Sequence, residues 1–187
     1  MPRLVRRVLL LVVALVLLAG AAALVTSGRD HLDSARADTD ATWLPLRPPL
    51  NARYAAAGAL ATALRDAGAG DRDVVVEMTE SLARWTELSA AASPDVEAEV
   101  AEANHLEGLI ARAATLVASS ARLSATPPVG GTLAAVAAAT VPAPAIKAYN
   151  NAARRYEDER TAVWRRPVAA IFGYDPRPFF MLSGPAA

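Results

Sequence analysis

The chain of 187 residues has no cysteine, only two histidines and few aromatic side chains. Without cysteine it can form no disulfide and offers no thiol nucleophile or thiolate ligand. The histidines, His31 and His105, lie far apart in the sequence, and Lys147 is the only lysine among 19 basic residues. These absences exclude disulfide-stabilised folds and thiol chemistry, although they do not identify a compartment.

A strong charge of either sign is also missing, because 19 basic and 19 acidic residues cancel. Arg3, Arg6 and Arg7 precede the first apolar run without an acidic neighbour. The other 16 basic residues face 19 acidic ones, which leaves a net charge of −3. A nucleic-acid-binding domain usually carries a basic stripe, and none is visible. We therefore expect no nucleic-acid partner.

The sequence lacks the short motifs of common enzyme chemistry. It contains no Gly-x-Ser-x-Gly elbow and no glycine-rich phosphate loop. Glu102 and His105 form a single Glu-x-x-His unit, whereas a di-iron bundle needs two such units and two further carboxylates. Glu157, Asp158 and Glu159 have arginine neighbours, which favours a solvated helix face. We therefore expect no catalytic, cofactor-binding or metal-binding residue, and no enzyme.

An uncharged apolar run of 18 residues occupies positions 8–25. As a helix of ~1.5 Å rise per residue it spans roughly 27 Å, close to the thickness of a bilayer core. The arginines before it place the amino terminus in the cytoplasm. Small residues at 19–23 leave a cleaved signal peptide as the alternative, although such cores usually have ~7–15 residues. We assign residues 1–7 to a cytoplasmic tail and 8–26 to a single-pass cell-membrane anchor, with the remainder outside the cytoplasm.

The rest of the chain has helical periodicity and no strand pattern. Residues 27–49 form a polar, proline-rich juxtamembrane segment, in which Pro45, Pro48 and Pro49 are expected to interrupt a helix. Helices are predicted over residues 50–67, 71–92, 95–123 and 144–166, with a short one at 132–140. Their predicted buried stripes are Leu50, Tyr54, Ala57, Leu60 and Leu64; Val75, Met78, Leu82 and Trp85; Val96, Val100, Ala103, Leu106, Ile110, Ala113 and Val117; and Ile146, Tyr149, Ala153, Tyr156 and Val163.

None of these helices is expected to be stable alone. Burying about five large apolar side chains contributes roughly 8–15 kcal/mol per helix, and ordering its ~20 residues costs at least as much. The stripes must therefore pack together, and short loops favour antiparallel neighbours. The sequence predicts an all-α protein: a transmembrane helix followed, over residues 50–187, by an antiparallel up-down bundle of about four main helices.

The end of the chain carries a recognisable order of motifs. A helix bearing Tyr149, Asn150 and Tyr156 is followed by a proline-initiated short helix, then by a Phe-Gly-Tyr step at 172–174 and a Pro-rich aromatic tail. This order resembles the end of LemA-family proteins, and the acidic, Asn- and Leu-bearing start of the third predicted helix is similar to that family as well. The resemblance implies a bacterial envelope protein with an amino-terminal anchor and a helical, coiled-coil-like bundle.

The family-like motif residues are the candidates for an interaction site. Tyr149 lies on the apolar stripe and Asn150 borders it, so this pair either fixes the packing of its helix or faces a partner. Trp43, close to the membrane exit, is a candidate for the lipid interface. The apolar tail either caps the bundle or offers a docking patch. The candidates are Tyr149, Asn150, Tyr156, Phe172, Gly173, Tyr174, Phe179 and Phe180.

Taken together, these features predict a non-catalytic, membrane-anchored scaffold or protein-interaction module of the cell envelope. Its partner would be an envelope protein or a second copy of the chain. A carrier of lipid or of another small apolar ligand is the alternative, because small alanine side chains can leave a cavity between helices. A metal-dependent enzyme is the third and weakest reading.

Overall fold

The computed structural model describes the backbone of residues 3–183 and the side chains of residues 11–20 and 22–183. Within this part the chain is helical and contains no strand, which confirms the all-α prediction. Expectations for residues 1, 2 and 184–187 lie outside the described residues. The helices are α1 (Arg3–Trp43), α2 (Arg47–Leu64), α3 (Asp73–Ala90), α4 (Val96–Ser119), α5 (Ala121–Ser124), α6 (Pro127–Ala138), α7 (Ala143–Thr161) and α8 (Arg166–Phe172).

Helix α1 carries the apolar run near the amino terminus. Its side chains from Leu11 onward are largely exposed; Leu15, for example, is 70% exposed. This is the one continuous helical stretch in the described residues that is long and apolar enough to cross a membrane. Helices α6 and α7, bent by 61°, meet the same requirement only when they are taken together. Length and composition are thus compatible with one membrane span.

The three prolines after α1 disturb the helix less than the sequence predicts. Leu44–Leu46 form a single 3₁₀ turn, and the flanking residues Trp43 and Arg47 keep right-handed helical backbone angles. Pro48 and Pro49 lie in the first turn of α2, where an amide donor would have no helical acceptor. The predicted interruption is therefore a local tightening between α1 and α2.

By backbone contacts the chain divides into two compact units. The core unit comprises residues 39–153 with the tail from 178 onward, and the anchor unit comprises residues up to 38 together with 154–177. Helices α1 and α7 contribute to both units. Each unit has a hydrophobic cluster of its own.

In the core unit α2, α3 and α4 pack side by side. Contacts run in opposite order along α2 and α3, since Asn51 bonds Trp85 whereas Arg65, directly after α2, bonds the earlier Thr79. Helices α3 and α4 are likewise antiparallel. The up-down arrangement therefore follows the prediction from short loops.

Most of the predicted stripe of the core unit is buried. Trp85 is 3% exposed and packs edge-to-face on Tyr54, with ring centroids 4.9 Å apart. Two positions on the stripes, Leu82 and Ile146, are only partly buried and pack at the edge of the cluster. The hydrophobic periodicity of α2, α3 and α4 thus identified the correct faces.

Several predicted helix boundaries are wrong. The third helix was predicted to begin at residue 95, but Asp95 is its N-cap and accepts a hydrogen bond from the Ala98 amide. The short helix was predicted to begin at residue 132, yet α6 begins at Pro127, since proline fits the first turn of a helix. Helix α7 ends at Thr161 rather than near 166, and Val163 is 88% exposed instead of buried.

The anchor unit is built around residues of α1 and the chain from 154 to 177. Its buried cluster comprises Leu32, Tyr156, Val168, Ala169 and Tyr174. Helix α8 approaches α1 at Gly28, where an added Cβ atom would lie 3.3 Å from a methyl carbon of Val168. Glycine therefore permits the close approach of these two helices.

Candidate functional site

The predicted motif residues of the core unit hold the tail against the bundle. We call residues 178–183 the strap; this segment is non-helical. The Asn150 side-chain amide donates to the Phe180 carbonyl, and its oxygen accepts from the Phe180 backbone N–H, both at 2.9 Å. One asparagine thus offers the strap a donor and an acceptor, as a neighbouring strand would.

Asn104 of α4 repeats this arrangement from another helix. Its amide donates to the Phe179 carbonyl at 2.8 Å, and its oxygen accepts from the Met181 N–H at 2.9 Å. Two asparagines from two helices therefore satisfy four polar groups of the strap backbone. Backbone groups that are withdrawn from water need such partners. Both asparagines therefore hold the strap against the helices.

Three aromatic side chains fix the strap from the inside of the core unit. Phe180 is 1% exposed and packs edge-on against Trp43 at 5.6 Å between ring centroids. Trp43 also packs on Tyr149 at 5.0 Å, and the Tyr149 hydroxyl donates to the Pro178 carbonyl at 2.8 Å. Trp43 is fully buried, so its proposed seat at a lipid interface is wrong.

A buried ion pair lies beneath the end of the strap. The guanidinium of Arg53 donates to both carboxylate oxygens of Glu107, at 2.7 and 3.0 Å. Arg53 also donates to the Val136 carbonyl at the end of α6, and Glu107 accepts from the Ser183 N–H. The pair therefore connects α2, α4, α6 and the strap.

A second carboxylate in α4 is engaged in the same way. Glu99 is fully buried; it accepts a 2.8 Å hydrogen bond from the Trp43 indole N–H and forms an ion pair with Arg47. Glu99 and Glu107 thus connect α4 to Trp43 at the end of α1 and to Arg47 and Arg53 of α2. Neither carboxylate faces an open cavity with a second free acid, so their geometry favours a structural role.

The remaining predicted residues belong to the anchor unit. The Tyr156 hydroxyl donates to the Asp175 carbonyl at 2.9 Å, and the Tyr174 hydroxyl donates to the Asp33 carboxylate at 2.7 Å. Gly173 has φ 68°, the left-handed conformation that glycine adopts at a helix end. Phe172 is partly exposed, and its ring lies 4.5 Å below the guanidinium carbon of Arg29.

Burial alters the acid–base behaviour of several tyrosines. It raises the pKa of Tyr54 far above the ordinary value, and the negative charge of Glu107 adds to the effect. Burial likewise raises the pKa of Tyr156. For Tyr174, burial and then the hydrogen bond to Asp33 raise the pKa. These hydroxyls remain protonated at neutral pH and act as hydrogen-bond donors; Tyr54 donates to the Ala103 carbonyl at 3.2 Å.

The acidic motifs singled out in the sequence are dispersed. His105 is exposed, whereas Glu102 accepts hydrogen bonds from Ser81 and Arg84. Glu157 pairs with Arg160, and Glu159 pairs with Arg165. Within the described part of the chain, no three acidic or histidine side chains gather where they could hold a metal ion.

An open groove of about 540 Å³ lies between α2 and α3. Tyr54 and Trp85 contribute aromatic surface to it, and Asn51 joins the two helices through its 2.8 Å hydrogen bond to the Trp85 indole. Small residues form much of the remaining lining. The groove is lined by Asn51, Tyr54, Ala55, Gly58, Leu82, Trp85, Thr86, Ser89 and Ala90.

Comparison of this sequence and structure with known proteins identified no relative. No protein-family model matches the sequence, and neither a curated protein nor a solved structure shows a significant match to it. The resemblance of the tail to the LemA family therefore stays a prediction from the motifs themselves.

Sequence reasoning missed several polar residues that organise the core unit. Arg53, Glu99 and Glu107 were not singled out, because charged residues inside a helix normally read as solvated. Asn104 was noted only as part of a family-like stretch. A signal was present in α4, since Glu99, Ala103 and Glu107 recur at intervals of four on the buried face. Charges on an apolar stripe indicate buried pairs.

Proposed function

We propose that this protein is a membrane-anchored, LemA-like helical-bundle module of the cell envelope that binds a partner helix. The observation that carries the proposal is the open groove between α2 and α3. The motif residues of the strap are occupied with internal contacts, so they leave the groove as the better candidate for recognition.

The lining of the groove suits a helix. Ala55, Gly58 and Ala90 present little side-chain bulk, which allows a partner backbone to approach closely. The buried rings of Tyr54 and Trp85 form the floor of the groove, and the partly exposed Leu82 supplies apolar surface for a partner side chain. Thr86 and Ser89 add hydroxyl groups at the side. An amphipathic helix with one bulky anchor residue has this chemistry.

Membrane attachment is the second part of the proposal. The exposed apolar side chains of α1 would lie in the bilayer, with the arginine-bearing amino terminus in the cytoplasm. The core unit would then be displayed outside the cytoplasm. A helix-binding module held at the membrane meets partners that share the same surface, where a modest affinity is sufficient for association.

Site-specific photo-crosslinking in the native membrane tests the proposal. A benzophenone amino acid replaces Thr86, which lines the groove, and the matched control replaces Glu80, which is exposed on the same helix outside the groove. We expect a discrete protein adduct from position 86 that is absent from position 80. Gly58→Leu should abolish that adduct in a variant whose circular dichroism shows it is still folded, because the leucine would fill the groove.

Other products would point elsewhere. Equal crosslinking from both positions would contradict a specific groove. A lipid adduct from position 86 alone would support a carrier of apolar ligands instead. Adducts formed only between copies of the chain would identify self-association as the role of the groove.

A further inference from the structure

The anchor unit displays a second apolar surface that the proposed helix-binding role does not use. We call residues 162–173, from the end of α7 through α8, the corner. Four large apolar side chains are exposed within it: Val163 at 88%, Trp164 at 47%, Ile171 at 75% and Phe172 at 43%. Clustered exposed apolar side chains of this kind mark contact with a membrane or a protein.

The corner packs against α1 just beyond the apolar run. A Cβ atom added to Gly28 would lie 3.3 Å from Val168 and 3.7 Å from the Trp164 ring. The next residue, Arg29, places its guanidinium carbon 4.5 Å from the Phe172 ring centroid. The contacts of Gly28 and Arg29 therefore fix the height of the corner along α1.

That height corresponds to the headgroup layer of a bilayer. The uncharged run ends at Val25, and Gly28 and Arg29 follow three and four residues later, or roughly 4.5 to 6 Å further along a helix. The headgroup region is about 5–7.5 Å thick on each side, half the difference between ~40–45 Å overall and ~30 Å of hydrocarbon. If α1 spans the membrane, the corner lies in this layer.

The side chains of the corner have the chemistry of that layer. Tryptophan concentrates at membrane interfaces because its ring is apolar and its N–H is polar. The Arg165 guanidinium carbon lies 4.2 Å from the Trp164 ring centroid, and Arg166 is exposed beside it. Acidic groups are also near, since Glu159 pairs with Arg165 and Asp33 accepts from Tyr174. Arg29 and Arg166 remain suitable for lipid phosphates.

We propose that the corner is a second membrane contact, in which Trp164 and its apolar neighbours enter the headgroup–acyl boundary of the leaflet from which α1 emerges. The inference rests on the membrane attachment in the proposed function. It assigns the exposed apolar surface of the anchor unit to lipid, and it fixes the rotation of α1 about its own axis, because one side of the helix carries the corner.

Fluorescence quenching in vesicles tests the contact. The full chain is reconstituted into phosphatidylcholine–phosphatidylglycerol vesicles that contain lipid brominated near the headgroup. The Trp164→Phe variant supplies the emission of Trp43 and Trp85, which are 0% and 3% exposed, and subtraction gives the Trp164 component. We expect brominated lipid to reduce this component at least twofold and to leave the emission of the Trp164→Phe variant nearly unchanged.

A pair of substitutions sharpens the result. Val163→Ser with Ile171→Ser should weaken the quenching of Trp164 at least twofold, because the corner then loses apolar surface. Val76→Ser, at a position of the core unit that is 45% exposed, is the matched control and should leave quenching unchanged. Equal effects of both changes would contradict the assignment.

Flotation of the vesicles separates the two possible failures. A chain that floats with the vesicles while Trp164 responds only to aqueous acrylamide would overturn the inference and leave membrane anchoring intact. A floating chain in which Trp164 is shielded from both quenchers would also overturn it, since protein rather than lipid would cover the corner. A chain that does not float would overturn the membrane attachment and this contact together.

Discussion

At the scale of single residues, the buried pair of Arg53 and Glu107 is central to the core unit. The carboxylate is fully buried and the guanidinium nearly so, and backbone carbonyls of Val136 and Ala139, at the end of α6, complete the hydrogen bonding of the arginine. Removal of one charge leaves the other buried without compensation, which costs far more than the intact pair contributes.

Replacement of Glu107 by Leu should therefore destabilise the protein by about 3–5 kcal/mol. Chemical denaturation of the full chain in detergent, followed by circular dichroism, measures the change. The matched double variant Arg53→Met with Glu107→Leu should recover much of the loss, because neither charge is then left alone. Equal stability of the single variant and the parent would show that water reaches the site.

Two glycines with different backbone angles should respond oppositely to alanine. Gly58 lies inside α2, and an added Cβ would meet Leu82 at an ordinary distance of 3.8 Å. Gly58→Ala should stabilise by about 0.5–1 kcal/mol, since alanine loses less entropy in a helix. Gly68 has φ 73°, and Gly68→Ala should destabilise by ~1–2 kcal/mol. Denaturation midpoints that shift in the same direction would contradict this assignment.

At the scale of elements, sequence periodicity predicted the buried faces of the helices. It did not predict the helix ends, which depend on capping residues and on contacts with distant parts of the chain. The stripes of α2, α3 and α4 were predicted correctly, because a 3.6-residue repeat identifies the buried face of a helix. The end of α7 was predicted too late, because no residue near Val163 indicates in the sequence that the helix ends at Thr161. The start of the short helix was predicted at residue 132, whereas α6 begins at Pro127.

The strap shows why part of the site could not be predicted. Phe179 and Phe180 were recognised as an apolar tail, but one is 42% and the other 1% exposed. Adjacent residues of an extended segment point to opposite sides, and only the position of Trp43 decides which of the two is inside. The roles of Asn104 and Asn150 depend on the same docking, so they became visible only in three dimensions.

Asn150→Ala should release the strap while the helices remain. The strap loses both hydrogen bonds that Asn150 makes with Phe180, so we expect hydrogen exchange at the Phe180 amide to accelerate at least tenfold with little change in α2–α4. Mass spectrometry of the exchanged peptides measures the effect. Asn151→Ala is the matched control, because this neighbouring asparagine is exposed; equally fast exchange in both variants would refute the clamp.

At the scale of the whole molecule, the proposed membrane span predicts which residues are accessible from outside the cell. The absence of cysteine makes the measurement direct, because a single introduced cysteine is the only thiol. Glu80→Cys, on the exposed side of α3, should react with a membrane-impermeant maleimide on intact cells. Leu4→Cys, before the apolar run, should react only after the membrane is opened.

Other labelling patterns would revise the arrangement. Protection of both cysteines on intact cells would place α3 inside the cell and contradict the proposed orientation. Loss of the Leu4→Cys signal from the mature protein, with Glu80→Cys still labelled, would show that a signal peptide is removed at the small residues of positions 19–23.

The strap also has a consequence for synthesis of the protein. Phe180 packs on Trp43, and the Ser183 N–H donates to Glu107. The strap therefore completes the hydrophobic core, although the ribosome makes it after all helices of the core unit. Segments that emerge early must wait with apolar surface exposed, a condition that favours aggregation. The interval between synthesis of Trp43 and synthesis of Phe180 therefore sets the shortest time for which chaperones and proteases can reach the nascent core.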